Sequence, residues 1–254
     1  MSETNFYLLV YLWIAAGLFI FPLVIKIVAP YGRHTTGKWG VLIDNRAGWI
    51  LMELPALLVF AGFFLFGNGP RHAVTWIFFS LWLLHYINRT LVFPFRLHTR
   101  GKKMPLSIVF MAIGFNFVNG FINGFYLGTL ADGSMYPPSY FYDPRFIGGI
   151  LLFFFGLFVN WHSDHILINL RKPGETGYVI PLRGFFQMVS CPNHFGEIVE
   201  WFGFALMTWS SPALAFAVWT LVNLMPRALH HHRWYRMTFA DYPAGRKALF
   251  PYIL

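Results

Sequence analysis

Apolar residues in this chain come in long unbroken runs, unlike the alternation of a strand or the one-sided stripe of a soluble helix. Residues 6–25, "FYLLVYLWIAAGLFIFPLVI", contain no charge, and about 20 such residues cross a bilayer as a helix. Further runs occupy residues 49–66, 73–87, 106–130, 146–161, 198–209 and 213–225. The last two are short and divided only by "SSP", so each is expected to extend into its flanks. The pattern predicts an all-α, multi-pass membrane protein of about seven transmembrane helices. The first run lacks a basic leader and a small-residue cleavage site, so it reads as a retained helix and not a signal peptide. No internal repeat or linker divides residues 1–254, which read as one domain.

Composition sharpens this picture. Only 11% of residues are charged, against 57% hydrophobic and 20% aromatic, whereas a soluble domain carries about 25% charged residues. The net charge of +9 forms no continuous basic stripe, so nucleic acid is not expected as a partner; membrane lipid is. Basic residues instead gather in alternate connections: Arg33, Lys38 and Arg46; then Arg96, Arg100, Lys102 and Lys103; then Arg171, Lys172 and Arg183; and finally a tail from Arg227 to Lys247. The intervening connections are poor in Lys and Arg. This alternation predicts an outside N-terminus and a cytosolic C-terminus. The single cysteine, Cys191, excludes an internal disulfide.

Polar residues inside the runs are the candidate chemistry. Glu53 lies four residues into the second run, next to Pro55, and an intramembrane carboxylate requires a cavity or a partner. Tyr86 and Arg89 lie one helical turn apart near the predicted cytosolic end of the third. Three further sets share helical spacing: Asn160, Asp164 and Arg171; Asn193, Glu197 and Glu200; and Arg227, His231 and Tyr235. Each set is expected to occupy one helix face, and together they suggest one polar chamber open to the cytosol. Histidines 230–232 point in different directions on a helix and cannot ligate one ion together. His162 and His165 have ligand spacing, but the repeated HxxHH box of membrane di-iron oxygenases is absent, so no metal is assigned. No GxGxxG run follows a strand, which excludes the dinucleotide-binding fold. Arg and Lys can still hold phosphates by charge-assisted hydrogen bonds; "YGRHT", "RGKK" and Arg171 are candidates by position.

The chain resembles the steroid 5α-reductase family in "YGRHT", "MELPALLVF", "LHYINRTLVFPF", "NWHSDHILINLRKPGE", "GYVIPLRG", "NHFGEIVEWFGFALMTWSSPALAF", "RALHHHRWY" and "DYPAGRKALFPYIL". The C-terminal pattern is shared with membrane sterol reductases and prenyl-cysteine methyltransferases, whereas "ELP" and "HYxxRT" point to the steroid reductase branch. The resemblance implies an NADPH-dependent enzyme that reduces the C4–C5 double bond of 3-oxo-Δ4 steroids or a sterol-like substrate. It implies that Glu53 and Tyr86 meet the substrate's C3 carbonyl. It further implies that Arg33, Asn160, Asp164, Arg171, Tyr178, Asn193, Glu197, Arg227, His231 and Tyr235 contact the cofactor, mostly from residues 146–254. The compartment implied is the inner membrane of a bacterium or the endoplasmic reticulum of a eukaryote. Met52 stands where mammalian members carry glutamine, a departure that falls in the expected steroid pocket.

The chemistry suits these residue types. Hydride addition to an enone places negative charge on the carbonyl oxygen, and a donor aimed there stabilises the transition state. Tyr86 can donate directly; Glu53 can donate when protonated or can orient the tyrosine. Two other classes remain open on the residues alone: an S-adenosylmethionine-dependent methyltransferase, and a proton-coupled transporter using Glu53 and Asp164.

Overall fold

The computed structural model describes residues 1–30, 32–98, 101–171 and 177–254, with Arg33 described in its backbone only. Seven long helices occupy the described residues. They are α1 (Glu3–Lys26), α2 (Asn45–Phe66), α3 (Ala73–Ile87), α4 (Leu106–Phe125), α5 (Pro144–Ile168), α6 (Pro192–Thr208) and α7 (Ser211–Thr238). This is the all-α, multi-pass architecture expected. By length and composition α1, α2, α4, α5 and α7 can each cross a membrane. α3 and α6 are shorter, but α3 runs on through a wide π turn, Asn88–Val92, and a last α turn, Phe93–Arg96. The wide turn ends where Phe93 N–H reaches back to the Asn88 carbonyl, just ahead of Pro94, which cannot donate.

Local chemistry explains the boundaries. α2 starts earlier than its apolar run because Asp44 caps it, accepting from the N–H groups of Arg46 and Ala47 at 2.9 and 3.0 Å. Glu53 therefore sits in the third turn of α2. α6 ends at Trp209, whose left-handed backbone (φ 45°) turns the chain directly into α7. α7 extends well beyond its apolar run and carries the whole of "RALHHHRWY".

Pairing between connections reveals which ends of the helices share a side. Strand β1 (Leu42–Asp44), between α1 and α2, pairs antiparallel with β2 (Lys103–Pro105), between α3 and α4. Arg96 approaches His165 at 3.2 Å, and His34 stacks on His231, so the basic connections gather at one end. At the other end Gly69 N–H bonds the Gly128 carbonyl, and the Tyr136 and Tyr140 hydroxyls bond the Thr208 and Met207 carbonyls. The two arginines at this end have local work. Arg71 donates to the Phe64, Leu65 and Gly67 carbonyls and closes α2, while Arg145 pairs with Asp143.

Between the ends lies an aromatic core centred on Phe60, Phe78, Trp82, Trp201 and Phe204, all fully buried. α5 and α6 pack with their backbones in near contact. A Cβ on Gly196 would lie 2.5 Å from Asn160 N, and one on Gly156 would strike the Glu200 N–H. Small residues at such crossings let helices approach closely, and this one brings the polar faces of α5 and α6 together. α1 is fastened to α7 through Trp219 Nε1, which donates to the Trp13 carbonyl at 2.8 Å.

Candidate active site

One guanidinium organises the polar interior. Arg89, in the π turn after α3, faces Glu53 of α2 (Nε–Oε1 3.8 Å), Asp164 of α5 (Nη1–Oδ2 3.8 Å) and Glu197 of α6 (Nη2–Oε2 3.7 Å). Its flat face lies over Trp49 at 4.7 Å and Phe93 at 5.1 Å, a placement that cation–π attraction favours. The amides fill the gaps between the acids. Asn160 donates to the Asn193 carbonyl at 3.0 Å and to Glu197 at 3.5 Å, and Asn193 donates to Asp164 at 3.0 Å. Asn116 of α4 donates to the Met52 carbonyl at 2.6 Å and to Glu53 at 3.3 Å. Four helices thus converge on one cluster, and Glu53, Asn160, Asp164, Asn193 and Glu197 all belong to it.

Tyr86 lies beside this cluster, 3% exposed and within electrostatic range of Glu53, Glu197 and Arg89. Its ring is held by Trp82 at 5.2 Å, Trp201 at 5.9 Å and Phe216 at 6.4 Å. Its neighbour His85 bonds Glu200 instead, Nδ1 to Oε1 at 2.8 Å. Glu200 therefore serves a different partner from Glu197, although both lie on one face of α6.

The C-terminal half of α7 sends its three histidines to three places, as helix geometry requires. His230 meets the Ile25 carbonyl at 2.9 Å. His231 stacks on His34 at 5.6 Å and approaches His194 at 5.9 Å. His232 meets Ser190 Oγ at 2.6 Å, which also bonds the Tyr242 hydroxyl. Arg227, His231 and His34 line a small recess with Val28, Ala29 and His230, and Arg227 lies within electrostatic range of Glu197. Tyr235, the third member of that set, is buried with its ring stacked on Tyr242 at 5.3 Å.

One expected face is corrected. Arg171 does not continue the Asn160–Asp164 face, because α5 ends at Ile168 with Asn169 as its cap. Arg171 instead donates to the Gly177 carbonyl at 2.8 Å, and spacing arguments lapse once a helix stops. Tyr178, half-exposed, packs against Trp234 at 4.9 Å. The Arg33 side chain, Arg100 and Lys172 lie outside the described residues. His162 packs between Phe158 and Phe185, away from His165, which faces Arg96.

Three features of the site do not follow from the sequence pattern as read: Asn116, the His85–Glu200 bond, and Arg89 as the shared centre. Signals exist for two of them. Asn116, Asn119 and Asn123 recur at three and four residues within an apolar run. An arginine inside a helix of this kind requires acids to meet it.

The sequence pattern described as 3-oxo-5-alpha-steroid 4-dehydrogenase matches residues 102–254. The chain is 42% identical over 231 residues to steroid 5-alpha-reductase DET2 of Gossypium hirsutum, covering 89% of this chain and 88% of that protein. It is 41% identical over 254 residues to 3-oxo-5-alpha-steroid 4-dehydrogenase 1 of Bos taurus, covering 97% and 96%. Against the protein of that name from Homo sapiens it is 41% identical over 247 residues, covering 96% and 94%.

Proposed function

The chain belongs to the 3-oxo-5-alpha-steroid 4-dehydrogenase family, and from that premise we propose that it reduces the C4–C5 double bond of 3-oxo-Δ4 steroids with NADPH. The observation that carries this reading is the convergence of Glu53, Asp164 and Glu197 on Arg89 beside the buried Tyr86.

The residues present fit a nicotinamide dinucleotide. Asn160, Asp164, Asn193 and Glu197 offer donors and acceptors side by side, the chemistry that a carboxamide and ribose hydroxyls need. Thr90 Oγ1 and Ser163 Oγ, next in sequence to Arg89 and Asp164, are buried polar atoms that meet no hydrogen-bond partner among the described residues and can accept a hydrogen bond from a ligand. Arg227, His231 and His34 form a basic recess suited to phosphate oxygens. Bound NADPH supplies the hydride for C5. The protein's part lies at the opposite end of the enone. Tyr86 donates a hydrogen bond to the C3 oxygen, where charge grows, and Glu53 either donates alongside it in protonated form or orients it; a solvent-derived proton taken up at C4 then restores the ketone. The aromatic walls around Tyr86 exclude water that would compete for that oxygen.

In this reading the end that gathers the basic connections faces the cytosol, giving the cofactor chamber access to NADPH. The test is NADPH oxidation by the purified protein in detergent or lipid with a Δ4-3-ketosteroid, followed by product identification. A 5α-reduced ketone formed one-to-one with oxidised cofactor is the expected outcome. Steroid binding without turnover, or turnover lost on chelation of a stoichiometric metal, would overturn the proposal.

A further inference from the structure

Two pairs of consecutive residues cross where α3 meets α6. His85 precedes Tyr86 on α3, and Glu200 precedes Trp201 on α6. His85 Nδ1 lies 2.8 Å from Glu200 Oε1, while the Tyr86 and Trp201 rings approach to 5.9 Å. The His85 ring also stands edge-on to Tyr86 at 5.0 Å and to Trp201 at 4.7 Å. His85 thus touches all three of the others. Both polar partners are sealed, at 3% exposure for His85 and 0% for Glu200, and Glu200 Oε2 meets no hydrogen-bond partner among the described residues.

Such a pair is a poor device for stability. Burying a carboxylate with one oxygen unmatched is unfavourable, and apolar side chains of similar volume often replace buried pairs without loss. Its distinguishing property is direction. The aromatic contacts around Tyr86 hold at centroid separations of 5.2 to 6.4 Å and tolerate sliding of one helix past another, whereas one short hydrogen bond does not. A displacement of about 1 Å at a reacting group can lower a rate about 100-fold.

We propose that the His85–Glu200 hydrogen bond is a positioning device for Tyr86, fixing the axial register of α3 against α6 so that the tyrosine hydroxyl stays aimed at the substrate oxygen. This rests on the reading of Tyr86 as the carbonyl-directed donor. His85 and Glu200 take no part in the chemistry themselves; they act through their neighbour.

A double-mutant cycle separates aiming from general support. Glu200→Leu should lower kcat about 10- to 100-fold while leaving cofactor affinity within about twofold. Glu200→Gln, whose amide oxygen can accept from the same Nδ1–H, should keep kcat within about threefold of wild type. In a Tyr86→Phe background no hydroxyl remains to aim, so Glu200→Leu should lower kcat by less than a further threefold or so. His85→Leu supplies the same comparison from the α3 side should Glu200→Leu fail to fold. Equal losses in both backgrounds, a Glu200→Gln variant as impaired as Glu200→Leu, or a fully active leucine variant would each overturn the positioning role. A fully active Tyr86→Phe would instead remove the tyrosine from the mechanism, a separable result.

Discussion

Arg145 and Arg89 meet their carboxylates at opposite ends of the bundle and in opposite styles. Arg145 closes on Asp143, two residues earlier, through Nη2–Oδ2 at 2.7 Å and Nε–Oδ1 at 2.9 Å, and lies over Tyr140 and Trp209. Its hydrogen bonds hold the Asp143 carboxyl at about 2, below its ordinary value. That pair is complete, local and solvent-facing. Arg89 draws on three acids from three other helices, and those three ion pairs run at 3.7 or 3.8 Å. The contrast separates local closure from long-range assembly. A short bidentate pair finishes a turn, whereas one cation among three acids ties α2, α5 and α6 to the end of α3.

The contrast can be broken at its base by topology, where the expected effect is all or none. Cys191 is buried, so introduced cysteines report cleanly. A cysteine at Ser134 should label from outside intact cells, and one at Ala244 only after permeabilisation. The reverse would put the Arg89 end on the wrong side for a cytosolic cofactor.

Removing the cation comes next. Arg89→Met leaves three acids without their shared partner, and breaking a buried ionic cluster in this way destabilises by about 3–5 kcal/mol. Thermal unfolding in detergent reads this directly, and an unchanged midpoint would show that the acids do not depend on Arg89. Glu53→Ala tests chemistry rather than folding: turnover should fall about 10²–10³-fold, or about 2.7–4 kcal/mol, with cofactor affinity nearly intact. A folded alanine variant with near-normal turnover would take Glu53 out of the mechanism.

Smaller effects grade the recess on α7. Arg227→Ala should weaken NADPH binding by about 1.5–3 kcal/mol and His231→Ala by about 0.5–1.5 kcal/mol. His230→Ala and His232→Ala, whose partners are Ile25 and Ser190, should lower the unfolding midpoint with little change in cofactor affinity. The smallest effect belongs to the local pair. Asp143, with its carboxyl held low, contributes above its ordinary value of 3.8 and loses that contribution as pH falls through about 2. Between about pH 6 and 8 both residues stay charged and the pair is solvent-screened, so Asp143→Asn should leave turnover and its pH profile unchanged. A shifted profile would mean that this end is coupled to the active site.

Much of the molecule is legible in its amino-acid order. All seven helices grow from the seven apolar runs, because lipid demands that backbone polar groups be satisfied within each segment. The runs on both sides of "SSP" extend into their flanks as expected. The polar sets on α5, α6 and α7 are visible wherever helical spacing holds, and the three histidines diverge as their indices require. Legibility ends where a periodic argument runs past a helix terminus, at Arg171, and where partners come from distant helices, as with Asn116 and Glu53.

The number of long helices, the alternation of basic connections and the presence of acids inside the apolar segments are all written in the sequence. Each follows from local chemistry: hydropathy, charge and helical period act over a few turns of one helix. Packing in three dimensions settles that Glu53, Asp164 and Glu197 share Arg89, and that His85 takes Glu200 while Glu197 joins the cluster. Glu197 and Glu200 are three residues apart on one helix, and no periodicity distinguishes their fates. That choice depends on how far α3 slides along α6 and on the close approach at Gly156 and Gly196. Register between helices is a property of packing, and one chain segment read alone does not contain it.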